Sequence, residues 1–165
     1  MESVATLTAR DAGELLTLQR AAYVTEAQAH DDPILPPLTQ TLTELVDELS
    51  DPAVAATGLR DTNGRLVAAV RVQTRADIGA VDIGRLIVAP DRQGRGLGTR
   101  LLSHVERGLS EPVTVLRLFT GEHSAGNLRL YRRLGFQETH RTPTPAGYAL
   151  VHLAKTITTP DGPVA

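Results

Sequence analysis

The 165-residue chain contains no cysteine and a single lysine, Lys155. The first absence excludes disulfides, thiolate metal sites and a cysteine nucleophile. The second removes the lysine that a triphosphate-binding loop needs beside its last glycine. No run of about 20 apolar residues is present, and Met1 to Arg10 lacks the basic start and apolar block of a secretory leader. A soluble, cytoplasmic protein without a membrane partner is expected. Excess charge of one sign is missing too: the net charge is −2, and the basic residues, nearly all arginine, are scattered, which argues against nucleic acid as a partner. A weakly acidic balance is compatible with a cationic ligand such as an amine.

What is present is ordinary globular material, 41% hydrophobic and 22% charged. The length favours one domain over residues 1–157, with a flexible tail at 158–165. Ser3 to Leu7 reads as a first strand, and Asp11 as the cap of a helix that ends before Asp31-Asp32-Pro33. A proline-rich connector then leads to a second helix carrying Leu38, Leu42, Leu45, Val46 and Leu49. Ala53 to Arg60, Arg65 to Thr74 and Ala80 to Val88 are strand-like, and the hairpin signal at Asp61-Thr62-Asn63-Gly64 implies an antiparallel meander. A helix from Leu97 to Leu109, a strand from Val113 to Phe119, a helix from Ser124 to Leu134 ended by Gly135, and strands at Phe136 to Arg141 and Tyr148 to Ala154 complete the chain. The order is β-α-α-β-β-β-α-β-α-β-β, which predicts an α/β protein with a mixed sheet flanked by helices.

The stretch Val88-Ala89-Pro90-Asp91-Arg92-Gln93-Gly94-Arg95-Gly96-Leu97-Gly98-Thr99 joins a β-branched run to an amphipathic helix. Alternating glycines allow positive φ and close approach to a ligand, and the orphan N–H groups at the start of the helix point outward with its positive dipole end. A dinucleotide fingerprint begun at Gly94 would need glycine where Thr99 stands. The spacing of Gln93, Gly96 and Gly98 instead fits Q/R-x-x-G-x-G/A. Here the chain resembles the GCN5-related N-acetyltransferase (GNAT) family, in which this loop holds the pyrophosphate of acetyl-coenzyme A. Downstream, Leu130, Tyr131, Gly135 and Phe136 match in register the family pattern N-x-x-A-x-x-L-Y-x-x-x-G-F, while Ser124 and Asn127 replace its usual Asn and Ala. The order of elements matches the acyl-CoA N-acyltransferase fold with its splayed central sheet.

The resemblance implies an acyl-CoA dependent N-acetyltransferase that moves acetyl from acetyl-CoA to a primary amine by direct attack in a ternary complex. With no cysteine, acyl transfer through an acyl-cysteine is excluded. A non-catalytic acyl-CoA binding or sensing domain is the alternative. Carried over residue by residue, the coenzyme site comprises main-chain groups of Leu86, Ile87 and Val88, the loop Arg92, Gln93, Gly94, Arg95, Gly96, Leu97, Gly98 and Thr99, and the side chains of Ser124, Asn127 and Tyr131. Tyr131 is the expected proton donor to the leaving sulfur, though its stripe with Leu128 and Leu134 also suits a core aromatic. Asp82, then Glu122, are candidates to take the amine's proton, each equally at home as a solvated surface group. Tyr23, Glu26 and His30 lie where the family shapes its acceptor pocket. His30-Asp31-Asp32 lacks ligand spacing, so no metal is expected. Dimers are frequent in the family, and a homodimer is compatible with the chain.

Overall fold

The computed structural model describes residues 1–110 and 112–157; the proposed tail at 158–165 lies outside them. Strands β1 (Ser3–Leu7), β2 (Val54–Arg60), β3 (Leu66–Arg75), β4 (Ala80–Val88), β5 (Val115–Gly121), β6 (Gln137–Pro143) and β7 (Ala149–Thr156) form a single sheet in the order β1-β2-β3-β4-β5-β7-β6. Every pairing is antiparallel except β4 with β5. The helices are α1 (Ala12–His30), the single turn α2 (Pro36–Thr39), α3 (Leu42–Ser50), α4 (Leu97–Arg107) and α5 (Ala125–Arg133). The expected order of strands and helices is therefore found, with one extra helical turn in the proline-rich connector.

The helix starts differ from the expectation for identifiable reasons. Asp11 does not cap α1. Thr8 opens a short 3-10 turn over Ala9–Asp11, and the Asp11 carboxylate reaches back to the Thr8 N–H at 2.8 Å as half of a capping box. The second long helix begins at Leu42 rather than Leu38, because Gln40 leaves the helical region and Thr41 caps a new helix, exchanging hydrogen bonds with Glu44. Helix α4 stops at Gly108, and β5 runs from Val115 to Gly121, two residues later than its apolar run suggests.

The sheet is split at its centre. β4 and β5 pair only from Ala80↔Val115 to Asp82↔Arg117, while β4 continues to Val88 and β5 keeps its partner β7 as far as Gly121. The reason lies in β4. The register against β3 shifts between Ala69 and Arg71, and Arg85 adopts a left-handed conformation (φ 51°), so two β4 residues oppose one on β3. Such a bulge bends its strand and breaks pairing on the far edge. Helices α1 and α3 cover one face, where Arg71 reaches Glu48 and Gln19, and α4 packs across β2, β3 and β4 on the other. One hydrophobic core runs through the sheet, including Leu15, Leu45, Leu59, Val67, Leu101, Leu116 and Leu153, all essentially inaccessible to solvent. The split is consequently an opening in an otherwise filled structure, lined by apolar side chains with several charged ones among them.

Candidate functional site

The loop between β4 and α4 carries a row of backbone amides without protein acceptors among the described residues. Gly94 and Gly96 have φ of 75° and 76°, a region that costs a residue with a Cβ about 1–2 kcal/mol, and nothing lies within 4 Å of a Cβ built on either. Gly98 is a correction: it is helical, and its missing side chain matters for packing, since a Cβ would meet Leu130 of α5 at 3.4 Å and Leu86 of β4 at 3.8 Å. Among the described residues, no backbone N–H from Gln93 to Thr99 has a protein acceptor, and the first helical bond runs from Arg100 N–H to Gly96 O at 3.0 Å. A row of unpaired amides at a helix N-terminus attracts negative charge. The Leu97 side chain is buried in the core, so only its amide faces outward.

The loop is clamped from the β2–β3 hairpin. Arg92 donates to Asp61 at 2.9 Å, and Arg65 grips Asp91 through two hydrogen bonds of 2.7 and 2.8 Å. The Asp91 carboxyl is held down to about 2 by Arg65. Arg92 is thereby occupied by Asp61, whereas Arg95 is exposed and in no ion pair among the described residues. Of the two arginines expected at a phosphate, Arg95 is the free one.

The opening between β4 and β5 exposes one edge of β4. Ala89 N–H donates to Val67 O at 2.8 Å, and the register pairs Ile87 with Ala69, so the main-chain groups of Ile87 face β3. By the two-residue alternation of a strand, those of Val88 face the gap. Ile87 therefore does not present an amide to the opening. Val88 does, while Leu86 lies in the bulge, where the alternation is interrupted.

Tyr131, on α5, lies in the core near Tyr23 and Glu26 of α1. It is only 5% exposed, packs on Phe136 at 6.0 Å between ring centroids, and makes no hydrogen bond among the described residues. Burial, then the negative fields of Tyr23 and Glu26 on α1, push its phenol well above the ordinary value, so the proton is retained at neutral pH. The α5 N-terminus meets the end of α1 beside it. Ser124 occupies the cap position but donates its hydroxyl to the Glu26 carboxylate instead of capping the helix. Asn127 donates to Thr120 at 3.3 Å and so braces the end of β5.

His30 is held inside the fold. Its Nδ1 donates to Glu26 O at 2.8 Å, its Nε2 accepts the His123 N–H at 3.0 Å, and its ring lies 4.5 Å from that of Tyr148. Those partners assign the neutral tautomer protonated on Nδ1. At 7% exposure, His30 ties α1 to the end of β5 and presents no free nitrogen to a ligand. Gly121 is required beneath it, because any Cβ there would collide with the imidazole. Asp32 is similarly engaged, accepting the Tyr148 hydroxyl at 2.7 Å. Tyr23 and Glu26 remain partly exposed.

On the α1–α3 face the opening widens into a cavity of about 700 Å³, bordered by Arg71, Arg75, Asp82, Arg85, Arg117 and Phe119 among others. Asp82 sits on its wall, receiving Arg117 at 2.7 Å and Arg75 at 3.1 Å. Although partial burial opposes ionisation, these two guanidiniums hold its carboxyl below the usual range, which makes Asp82 a weak base. Glu122 accepts the Ala149 N–H at 2.8 Å and lies 3.5 Å from Arg141. The opposite wall is a ladder of rings: Phe119 lies 5.5 Å from His152, which stacks on His140 at 4.1 Å. The role of Arg85, Phe119 and this histidine pair in lining a cavity has no local sequence signal, because they come from four strands that meet only in the folded sheet.

A split mixed sheet, a free strand edge and an amide cradle at the helix that follows define the class of acyl-CoA N-acyltransferase folds. Residues 54–138, from β2 to the start of β6, match the family model of the acetyltransferase (GNAT) domain, and the chain belongs to that family. An uncharacterized N-acetyltransferase of Methanocaldococcus jannaschii is 34% identical over 58 residues, 34% of this chain and 26% of that relative. The match thus spans about a quarter of the relative's length. The ribosomal-protein-S18-alanine N-acetyltransferase of Escherichia coli superposes with a TM-score of 0.78 at 20% identity, covering 100% of this chain and 99% of that one. A PaiA N-acetyltransferase of Thermoplasma acidophilum, solved in complex with coenzyme A, superposes with a TM-score of 0.77 at 14% identity over 95% of this chain and 99% of its own. At these identities the structural likenesses establish the fold.

Proposed function

We propose that the protein transfers an acetyl group from acetyl-CoA to a primary amine by direct attack within a ternary complex. The observation that carries this reading is the row of acceptor-free amides from Gln93 to Thr99, placed where the free edge of β4 ends. Acetyl-CoA supplies an activated thioester. The chain supplies the rest. The loop amides and Arg95 would hold the pyrophosphate, and the Thr99 hydroxyl stands in the first turn of α4 beside them. The Val88 N–H, on the open edge, is suited to polarise the thioester carbonyl, a stabilisation worth roughly 3–4 kcal/mol where such donors have been removed. The buried phenol of Tyr131 carries the proton for the departing sulfur.

An attacking amine must shed a proton. Asp82 is shared by two arginines and Glu122 is bonded to Ala149 N–H, so neither is a free carboxylate. Glu26 accepts the Ser124 hydroxyl but pairs with no arginine among the described residues and acts on the phenols of both Tyr23 and Tyr131, and we assign it the role of acceptor of that proton. Glu26→Gln keeps an acceptor for Ser124 while removing the base. It should lower kcat and flatten the acid limb of the pH–rate profile, whereas Asp82→Asn should leave that limb in place.

The overall reading is tested by calorimetry with acetyl-CoA and by thiol release over a panel of amines. Binding with turnover supports it. Binding without turnover on any amine would convert it to an acyl-CoA sensing domain, and absence of binding would discard both.

A further inference from the structure

Arg85 is the least accounted-for charge in the molecule. It occupies the β4 bulge with φ 51°, a left-handed conformation that residues with a Cβ seldom adopt, and strain of this kind persists where the surroundings enforce it and often where function uses it. Its Nε is buried without a hydrogen-bond partner, its guanidinium takes part in no ion pair among the described residues, and the polar side chain beside it is the Tyr23 phenol, which burial keeps protonated. It borders both the 700 Å³ cavity and a smaller one of about 350 Å³ under α2.

The neighbouring carboxylates are already committed. Glu48 accepts Arg71 at 3.0 Å, Glu44 closes the α3 capping box on Thr41, and Asp51 caps the Ala53 N–H at 2.8 Å. Asp82 answers two guanidiniums, which leaves one positive charge over on that wall as well. Arg71, 3% exposed, is surrounded by Glu48, Gln19 and Gln40 and needs nothing further. The cleft on the acceptor side is therefore cationic at its floor, although the whole chain is weakly acidic. A partly buried guanidinium without a counter-charge, its Nε shut off from water, is poorly compensated, and its planar fork matches a carboxylate.

We propose that Arg85 receives a carboxylate of the acceptor, so that the acceptor is a small amine that also carries a carboxylate, as amino acids do. The cavity is of small-molecule size, and the 53% exposed ring of Phe119 on its wall offers an apolar surface to the remainder of such a molecule. The amine end of this proposal rests on the N-acetyltransferase reading. The carboxylate end rests on the cleft alone.

The test compares amino acids with their carboxamides and with the amines left by decarboxylation, each with acetyl-CoA and the full chain. The acids should be preferred in kcat/KM by at least about tenfold, the loss of one strong polar contact. Arg85→Gln should abolish that preference through KM while leaving the acetyl-CoA Kd unchanged. Arg85→Gly, which removes the guanidinium and relieves the positive φ, should lose the preference with no loss of melting temperature. Equal or better turnover of amides or decarboxylated amines, or an unchanged preference in both variants, overturns the proposal. A turnover-free arm separates it from the transferase reading: calorimetric titration with N-acetyl amino acids and their amides. Acids that bind, and cease to bind in Arg85→Gln, sustain the carboxylate site even if no amine is acetylated; acids and amides that bind alike, or fail to bind alike, end it.

Discussion

The two sides of the central opening are made in different ways. On the α4 side a contiguous segment, Gln93 to Thr99, offers backbone amides whose positions follow from two left-handed glycines and the start of a helix. On the α1–α3 side the wall is made of side chains from Arg71, Asp82, Arg85, Arg117 and Phe119, brought together by strands distant in sequence. A backbone cradle recognises a group common to every reaction of a family, because amides are present whatever the side chains are. A side-chain wall can change its charge with a single substitution. On the proposed reading, donor and acceptor recognition are physically separable here, and substitutions can break them one at a time.

The sharpest break is expected at Tyr131, where the two sides meet. Tyr131→Phe keeps the ring that packs on Phe136 and removes only the proton donor, so kcat should fall by about 10²-fold or more with the acetyl-CoA Kd unchanged. Stopped assays of thiol release with a parallel calorimetric titration separate the two quantities. An unaltered kcat in a folded variant would return Tyr131 to the core.

Gly96→Ala strikes the donor side alone. Forcing a Cβ into φ 76° costs about 1–2 kcal/mol, so the acetyl-CoA Kd should rise by about tenfold while selectivity among amines stays put. The same measurement on Asp61→Ala, which frees Arg92 and loosens the clamp from the hairpin, should show a rise of only a few-fold, because it leaves both left-handed glycines and the loop amides in place. If the Asp61 variant matched the Gly96 variant, the loop's order would depend on its clamp more than on its glycines.

The smallest effect concerns the acceptor wall and pH. Asp82 has a carboxyl held below its ordinary value near 3.8 by Arg117 and Arg75. A lowered folded-state value means that the stabilisation is fully present above the unfolded value and is lost as pH falls through the folded one. The Asp82 contribution to the melting temperature should therefore be level from pH 7 to about 5 and be lost below about 4, apart from the separate loss on acidification expected of the depressed His152. Asp82→Asn should flatten part of that decline. A wild-type slope already present between pH 7 and 5 would point to groups other than this carboxylate.

Much of this was readable in the one-dimensional pattern, and the reason is locality. The Asp61-Thr62-Asn63-Gly64 turn, the glycine loop and the Leu130-Tyr131 register with Gly135-Phe136 are short-range signals, and each sits where expected. Misreadings arose where a nearer competitor won. Thr8 outcompeted Asp11 as a cap, Thr41 with Glu44 restarted a helix that apolar spacing would have joined, and Gly98 serves packing instead of a turn. His30 was legible as a polar residue near the acceptor side, but not as a pillar whose nitrogens are both consumed within the fold.

By itself, then, the sequence determined the order of elements, the amide cradle and the position of the phenol, since each depends on residues within a turn or two of one another. Tertiary structure alone decided the charge of the cleft on the α1–α3 side. Whether an arginine is neutralised depends on which carboxylates the fold sets beside it, and Glu48, Asp82 and Arg85 come from elements that only the bent, split sheet brings around one space.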